Sequence, residues 1–157
     1  MPEQTAPIWH STPSVEMLNI KAEGTLNHNL GIEITGITNA ALQGRMPVDE
    51  RTVQPAGVLH GGASVAFAET LASWAGYLVV DSSRFHVVGQ EINANHLRPV
   101  IAGQYVHGEA TPIQLGRRSH VWQIDIRNEA GKLACISRCT LAVIDVPGQY
   151  ATKEERA

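Results

Sequence analysis

The chain has 157 residues, 43% of them hydrophobic, and a formal net charge of −3. This length suits one domain that buries about two-thirds of its unfolded surface, and the hydrophobic content excludes a mainly disordered chain. The charge balance lacks the basic footprint that nucleic-acid binding requires, so no nucleic-acid partner is expected.

The first fourteen residues contain neither a cationic segment nor an apolar run, and a signal peptide needs both. We therefore expect a cytoplasmic protein. The two cysteines, Cys135 and Cys139, stand four residues apart in a predicted strand, which separates them by roughly 13 Å. That distance is too long for a disulfide, so both are expected to be reduced residues of the core.

A short helix is predicted near the N-terminus. Thr12 is its candidate N-cap, Pro13 would take the first helical position, and Gly24 follows the last turn. Proline is tolerated at the first position because the N–H that it lacks would have no partner there. The helix is therefore expected to begin at Pro13 and to end before Gly24.

The longest apolar stretch runs from Gln54 to Val80, and its only charged residue is Glu69. From Gly61 onward the large apolar residues spread around a 3.6-residue period, which predicts a helix buried on every face. These residues are Val65, Phe67, Leu71, Trp74, Tyr77 and Leu78. The carboxylate and several hydroxyls argue against a membrane span, so no membrane partner is expected. A carboxylate in an apolar helix is costly unless paired, which makes it a candidate for chemistry.

Strands are predicted on both sides of this helix. Residues 31–46 favour one or two strands, with a break near Gly36 or Asn39. After the helix, four strands are predicted at residues 85–97, 104–113, 120–127 and 132–144. A short glycine-containing connection at residues 128–131 indicates an antiparallel hairpin.

One long helix followed by antiparallel strands predicts an α+β fold in which a curved sheet wraps the helix. We interpret residues 1–157 as a single domain, with a core at about residues 8–145 and a polar tail at residues 146–157.

The start of the central helix, His60-Gly61-Gly62, is the first candidate site. Backbone N–H groups in a first turn have no intrahelical acceptor, and glycines let a ligand approach them closely. This pattern indicates either a pocket for a carbonyl oxygen or only a tight turn into the helix. Gln54 in the preceding loop can donate to a carbonyl oxygen, and His60 either polarises a carbonyl or holds the loop.

Glu69 is the second candidate, and it lies eight residues beyond Gly61, roughly 12 Å along a helix. Reacting atoms must be about 3 to 3.5 Å apart, so Glu69 does not reach a carbonyl at its own helix start. Two antiparallel helices about a two-fold axis would bring Glu69 of one chain opposite Gly61 of the other. Ser73 follows at i+4, where its hydroxyl could bind the carboxylate or orient a water.

Other catalytic and metal motifs are missing from the sequence. The seven histidines show no metal-ligand spacing, so no metal site is expected. No organic cofactor is expected either. Serine-elbow, dinucleotide-binding and P-loop motifs are also absent. Arg117 and Arg118 form a small basic loop, which is either a phosphate contact or a solvated hairpin tip.

The segments Val58–Ser64 (VLHGGAS) and Val87–His96 (VVGQEINANH), with Glu69 between them, resemble the hot-dog-fold thioesterases of the PaaI-like group, closest to bacterial hydrolases of aromatic acyl-CoA. The resemblance extends from about Ile8 to Ile144. It implies a hot-dog fold, dimers whose sheets join edge to edge, homotetramers built from two dimers, and active sites at the dimer interface.

The resemblance also implies roles for matching positions. Glu69 would be the general base or nucleophile, with Ser73 near the attacking water. The Gly61 N–H and Gln54 would polarise the thioester carbonyl, and His60 would lie beside it. The residues that would bind substrate are His96, Gly89, Arg117 and Arg118, the two arginines near the CoA phosphates.

The predicted function is a metal-free thioesterase for an aromatic acyl-CoA, or for the same acyl group on a carrier protein. Ala56 stands where close relatives tend to have a bulky aromatic residue, which leaves the identity of the acyl group open. Two alternatives also remain open. A hot-dog dehydratase would convert a hydroxyacyl thioester to an enoyl product, and a non-catalytic acyl-CoA-binding module would release no thiol.

Overall fold

The computed structural model describes residues 6–12 and 14–146. Pro13 and the residues beyond 146 lie outside the described residues. The helical position of Pro13 and the polar tail therefore stay predictions. The described helices are α1 (Val15–Lys21), α2 (Leu26–Asn29) and α3 (Gly61–Val79). The described strands are β1 (Glu33–Ile37), β2 (Leu42–Pro47), β3 (Phe85–His96), β4 (Tyr105–Leu115), β5 (Ser119–Asn128) and β6 (Leu133–Asp145).

The strands form one six-stranded sheet in the order β1-β2-β4-β5-β6-β3, and all neighbours are antiparallel. Helix α3 packs against the inner face of this sheet, from β2 across to β3. The predicted hairpin at residues 128–131 joins β5 to β6, and the Gly131 N–H closes it by donating to the Asn128 carbonyl at 2.8 Å. The predicted α+β architecture is confirmed.

Two glycines let α3 approach the sheet closely. Gly44 of β2 and Gly108 of β4 stand opposite each other in the strand register. A Cβ on Gly108 would come within 2.6 Å of the Leu71 side chain and 2.8 Å of the Phe67 ring. Both of these side chains are fully buried. The paired glycines therefore form the depression that holds the centre of α3.

The prediction that α3 is buried on every face is wrong for the single chain. Its sheet-facing residues are buried, but Val65, Trp74 and Tyr77 are only partly covered. They share the exposed side of the helix with Glu69. A sheet on one side of a helix covers only that side, and residues 6–12 and 14–146 supply no second layer over the other.

The first helix departs from its prediction at the cap. Ser14, not Thr12, is the N-cap: its backbone is extended, and its hydroxyl accepts from the Met17 N–H at 3.3 Å. Serine directly before the first helical residue satisfies a first-turn donor that Thr12 is too far away to reach. The helix ends at Lys21, and Gly24 follows with a left-handed φ of 72°.

The remaining strand predictions are confirmed to within two residues. Strands β1 and β2 are separated by a turn that contains Asn39, and Gly36 lies where the register of β1 shifts. Helix α2, with only four residues, was not predicted because it is too short to show a period. None of the described helices is long and apolar enough to cross a membrane.

The cysteine prediction is confirmed as well. Cys135 and Cys139 are both free and buried. Burial raises the pKa of the Cys135 thiol. Burial, together with the carboxylates of Glu69 and Glu91, raises the pKa of Cys139 to about 12. Both therefore remain neutral thiols at physiological pH and are poor nucleophiles.

Candidate active site

Helix α3 begins with a histidine cap. His60 is exposed, and its Nδ1 accepts a hydrogen bond from the Gly62 N–H at 2.8 Å. An accepting Nδ1 carries no proton, so the neutral ring holds its proton on Nε2. The N–H of Gly61, in the first turn, has no intrahelical acceptor. The helix start thus presents hydrogen-bond donors.

One surface pocket lies beside this helix start, and we call it the helix-start pocket. Its lining includes Gln54, Gly61, His96 and Arg98. A Cβ on Gly61 would come within 2.8 Å of the His96 Nε2. The imidazole of His96 can therefore lie against the first turn only because residue 61 is glycine.

The loop before α3 orients Gln54. The Gln54 Oε1 accepts from the Ala56 N–H at 2.6 Å, and the Gln54 N–H donates to the Val58 carbonyl at 2.9 Å. With Oε1 engaged, the Nε2 amide remains as a donor, and it has no partner among the described residues. The helix-start pocket thus offers two neutral donors, this amide and the Gly61 N–H.

A second pocket, which we call the carboxylate pocket, lies along the partly covered side of α3. Glu69 and Ser73 line it, together with Trp74 and Tyr77 of the same helix. The Glu69 carboxylate is partly exposed, and no described residue forms a hydrogen bond or ion pair with it. The Ser73 hydroxyl likewise forms no hydrogen bond with Glu69.

Gly89 brings the edge of the sheet against this carboxylate. A Cβ on Gly89 would collide with the Glu69 Oε1. Gly89 lies where the pairing of β3 with β6 shifts register. The edge strand and α3 together therefore fix the position of the carboxylate.

The structure divides the predicted site residues between the two pockets. Glu69 and Ser73 line one, and Gln54, Gly61 and His96 line the other. The two linings share no residue. Two N–H donors can stabilise an oxyanion, and a carboxylate can act as a base or nucleophile. One chain therefore holds the carboxylate and the two donors in separate pockets.

Besides Gly89, three predicted site residues line neither pocket. His60 lies beside the helix-start pocket as the cap of α3. Arg117 and Arg118 are exposed on the turn between β4 and β5. This turn is short, with the Gly116 N–H donating to the Ser119 carbonyl at 2.9 Å. Among the described residues, no three metal-binding side chains are grouped so that they could hold an ion.

Several residues of the carboxylate pocket were not predicted as site residues. Leu26 and Asn27 come from α2, whose presence the sequence did not indicate. Trp74 and Tyr77 were interpreted only as core residues. A signal was available for Tyr77, because it follows Ser73 at i+4 and so continues the side of the helix that carries Glu69.

The chain is similar to known proteins in sequence and in fold. The family model described as "Thioesterase superfamily" matches residues 56–135. The 1,4-dihydroxy-2-naphthoyl-CoA hydrolase of Escherichia coli is 47% identical, over 87% of this chain and 99% of that protein. The proofreading thioesterase EntH of Cronobacter turicensis is 49% identical, over 87% of this chain and 98% of its own length.

A solved structure agrees with these relatives. The crystal structure of a thioesterase from Haemophilus influenzae superposes with a TM-score of 0.87 at 50% identity, covering 92% of this chain and 99% of that one. The chain belongs to the thioesterase superfamily and has its hot-dog fold. It is accordingly an enzyme, a thioester hydrolase.

Proposed function

We propose that the protein hydrolyses aromatic acyl-CoA, or the same acyl groups on a carrier protein, without a metal and at sites shared by two subunits. The observation that carries this proposal is the separation of Glu69 from Gly61 and Gln54 into different pockets of one chain. A thioester bound at either pocket alone would meet only half of the required groups.

The edge strand offers a way to join the halves. Strand β3 has twelve residues and pairs only with β6, so its other edge is free within the described sheet. A long free edge can pair with another strand. Antiparallel pairing with β3 of a second copy would continue the sheet and give two equivalent sites. Because Gly89 belongs to β3, the Glu69 carboxylate lies beside the edge that the second copy would approach.

Such a dimer would also cover the exposed side of α3, where Val65, Trp74 and Tyr77 are partly exposed. Burying apolar side chains favours association by about 25 cal/mol per Å² of apolar area removed from water. We propose that two dimers combine into a homotetramer.

In the proposed mechanism, the thioester carbonyl oxygen accepts hydrogen bonds from the Gly61 N–H and the Gln54 amide of one subunit. Glu69 of the other subunit takes a proton from water as the water oxygen attacks the carbonyl carbon. The C–S bond then breaks, and the thiolate leaves and is protonated, giving a carboxylic acid and free thiol. If Glu69 attacks directly instead, an acyl-enzyme anhydride forms first and water cleaves it.

Other predicted site residues have supporting roles in this mechanism. The Ser73 hydroxyl, on the same side of α3, orients the attacking water. The Nε2–H of His60 lies at the helix start and adds a donor near the carbonyl. His96 shapes the helix-start pocket by packing against Gly61. Arg117 and Arg118 are proposed to attract the CoA phosphates by charge.

The walls of the carboxylate pocket support an aromatic acyl group. Trp74 and Tyr77 meet edge to face, with ring centroids 5.8 Å apart and planes at 77°. Leu26 and Val87 add aliphatic surface. Aromatic rings favour such edge and offset contacts with other rings. The relative from Escherichia coli, named for an aromatic acyl-CoA, supports the same substrate class.

The proposal is tested by thiol release from benzoyl-CoA. Glu69→Gln should lower turnover about 100-fold or more, because an amide cannot accept the proton. Glu109→Gln is the matched control, since this carboxylate binds Gln43 on the outer side of the sheet. The oligomeric state should be unchanged in both. Hydrolysis by Glu69→Gln at the wild-type rate would refute the role of Glu69.

Two further measurements separate the alternatives. A chelator should leave the rate unchanged, and a loss of activity that added metal restores would refute the metal-free mechanism. With a 3-hydroxyacyl thioester, an enoyl product in place of free thiol would identify a dehydratase. Binding of benzoyl-CoA without any thiol release would identify a binding module.

A further inference from the structure

Lys21 and Tyr77 form a polar pair at one end of the carboxylate pocket. The Lys21 ammonium donates to the Tyr77 hydroxyl oxygen at 3.2 Å and lies 5.1 Å from the centre of the tyrosine ring. Because the phenol oxygen accepts this bond, its own O–H proton remains for donation. Hydrogen bonds from Lys21 and Ser82 lower the pKa of Tyr77, which makes its hydroxyl a stronger donor.

The fold holds this pair in place. Asn19 fastens α1 to β1: its Nδ2 donates to the Ile34 carbonyl at 3.0 Å, and its Oδ1 accepts from the Ile34 N–H at 2.8 Å. Leu18 of the same helix is fully buried. These contacts hold α1 against the sheet, and Lys21 at the end of α1 is therefore positioned over Tyr77.

Tyr77 and Glu69 line the same pocket. Tyr77 lies eight residues beyond Glu69, about 12 Å along the helix. An acyl group that Glu69 attacks at one end can therefore extend along the helix towards Tyr77. A second polar pair in the pocket is already engaged, because Thr70 donates to the Asn27 Oδ1 at 2.9 Å.

We propose that Tyr77, supported by Lys21, donates a hydrogen bond to a hydroxyl oxygen at the far end of the aromatic acyl group. The enzyme would then prefer hydroxylated aryl thioesters to those that carry an apolar group at the same position. This inference rests on the proposed function, since it assumes that the acyl group occupies the carboxylate pocket.

Three thioesters test the inference with the wild-type enzyme: benzoyl-CoA, 4-hydroxybenzoyl-CoA and 4-methylbenzoyl-CoA. The methyl group matches the hydroxyl in size and also releases electrons to the ring, so it controls for fit and reactivity. We expect kcat/KM to be about 10-fold higher for the hydroxyl ester than for the methyl ester, as a neutral hydrogen bond would give. Equal values would overturn the inference.

Substitutions then test whether Tyr77 and Lys21 cause the preference for the hydroxyl ester. Tyr77→Phe should bring the ratio of kcat/KM for the hydroxyl ester to that for the methyl ester close to one, because the hydrogen bond to the hydroxyl is lost. Lys21→Met, which keeps the stem over the ring, should lower the ratio by about 3-fold. Lys132→Met, on the exposed hairpin, should leave it unchanged.

Failure of this inference can be distinguished from failure of the proposed function. If Tyr77→Phe slows all three esters equally, or slows none, the residue only packs and the inference is overturned. If the wild type releases no thiol from any of the three, the proposed function fails, and the inference with it. Hydrolysis of all three without preference overturns the inference alone.

Discussion

Gly89 of the edge strand lies directly against the carboxylate of Glu69. A Cβ at this position would overlap the Glu69 Oε1, so glycine is the only residue that fits without displacing the carboxylate. The contact joins a register shift in β3 to the side of α3 that the sheet leaves exposed. It therefore links the free edge of the sheet to the proposed base.

Gly89→Ala tests whether this contact sets the position of the base. The new Cβ should push the Glu69 carboxylate aside, and a displacement of about 1 Å is enough to lower turnover about 100-fold. The fold should persist, because the φ of Gly89 is not positive. Thiol release from benzoyl-CoA and the melting temperature measure the two effects.

Gly36→Ala is the control for this substitution. It also lies at a register shift of an edge strand, but its Cβ would meet only the flexible end of the Gln43 side chain, at 2.7 Å. It should hydrolyse benzoyl-CoA at the wild-type rate. A wild-type rate for Gly89→Ala as well would mean that β3 does not position Glu69.

His60 has a structural role as the cap of α3 and a proposed role beside the carbonyl, and two substitutions separate these. Asparagine is a good N-cap, so His60→Asn should keep the melting temperature but lose the Nε2–H donor, with turnover about 10-fold lower. His60→Ala should lose the donor and also about 1 kcal/mol of stability. Full activity in His60→Asn would show that His60 only caps the helix and does not act on the carbonyl.

The paired glycines of the sheet predict a stability effect away from the site. Gly108→Ala would place a Cβ 2.6 Å from Leu71, and such overpacking destabilises by about 1 to 3 kcal/mol. Urea unfolding measures the loss. Adding Leu71→Val should recover part of it by making room for the new methyl group. If Gly108→Ala unfolds at the wild-type urea concentration, close packing of α3 on the sheet does not depend on this glycine.

His120 predicts how stability depends on pH. Its side chain is buried beside Trp122, and neither its Nδ1 nor the Trp122 Nε1 has a hydrogen-bond partner among the described residues. Burial lowers the pKa of His120 from the ordinary value of 6.5. Above that pH the residue is neutral in both states. Below pH 6.5 the unfolded chain binds a proton at this residue that the native protein does not bind. The free energy of unfolding therefore decreases as the pH is lowered.

Urea unfolding at pH 7, 6 and 5 measures this loss, which for one proton reaches at most about 1.4 kcal/mol per pH unit. His120→Gln should flatten the slope. His107→Gln, at an exposed position on β4, is the matched control and should keep the wild-type slope. An unchanged slope in His120→Gln would show that another group causes the pH dependence.

Periodicity predicted the elements whose patterns are long. The start of α3 at Gly61 and the later strands, including β5 with its alternating burial, follow directly from their residue patterns. Short features, such as the N-cap of α1, could not be predicted because they depend on the folded backbone around them. Ser14 and Thr12 are both acceptable caps by type, and only the backbone geometry selects Ser14.

The candidate site could be predicted only where helix geometry determines it. The helix rise alone shows that Glu69 and Gly61 do not meet within one chain, and the two pockets agree with that separation. The contact of Lys21 with Tyr77 joins residues 56 positions apart, and no local pattern contains it. It depends on how Asn19 fastens α1 to the sheet, which only the folded chain shows.

Mixing two inactive variants tests the shared site most directly. Glu69→Gln lacks the proposed base and Gln54→Ala lacks the proposed amide donor, so each variant alone should hydrolyse benzoyl-CoA slowly. When the two are unfolded together in equal amounts and refolded, random pairing gives about one site in four with both groups intact. We predict that activity rises to about a quarter of the wild-type value. Mixed oligomers, verified by mass, that stay as inactive as the separate variants would contradict a site built from two subunits.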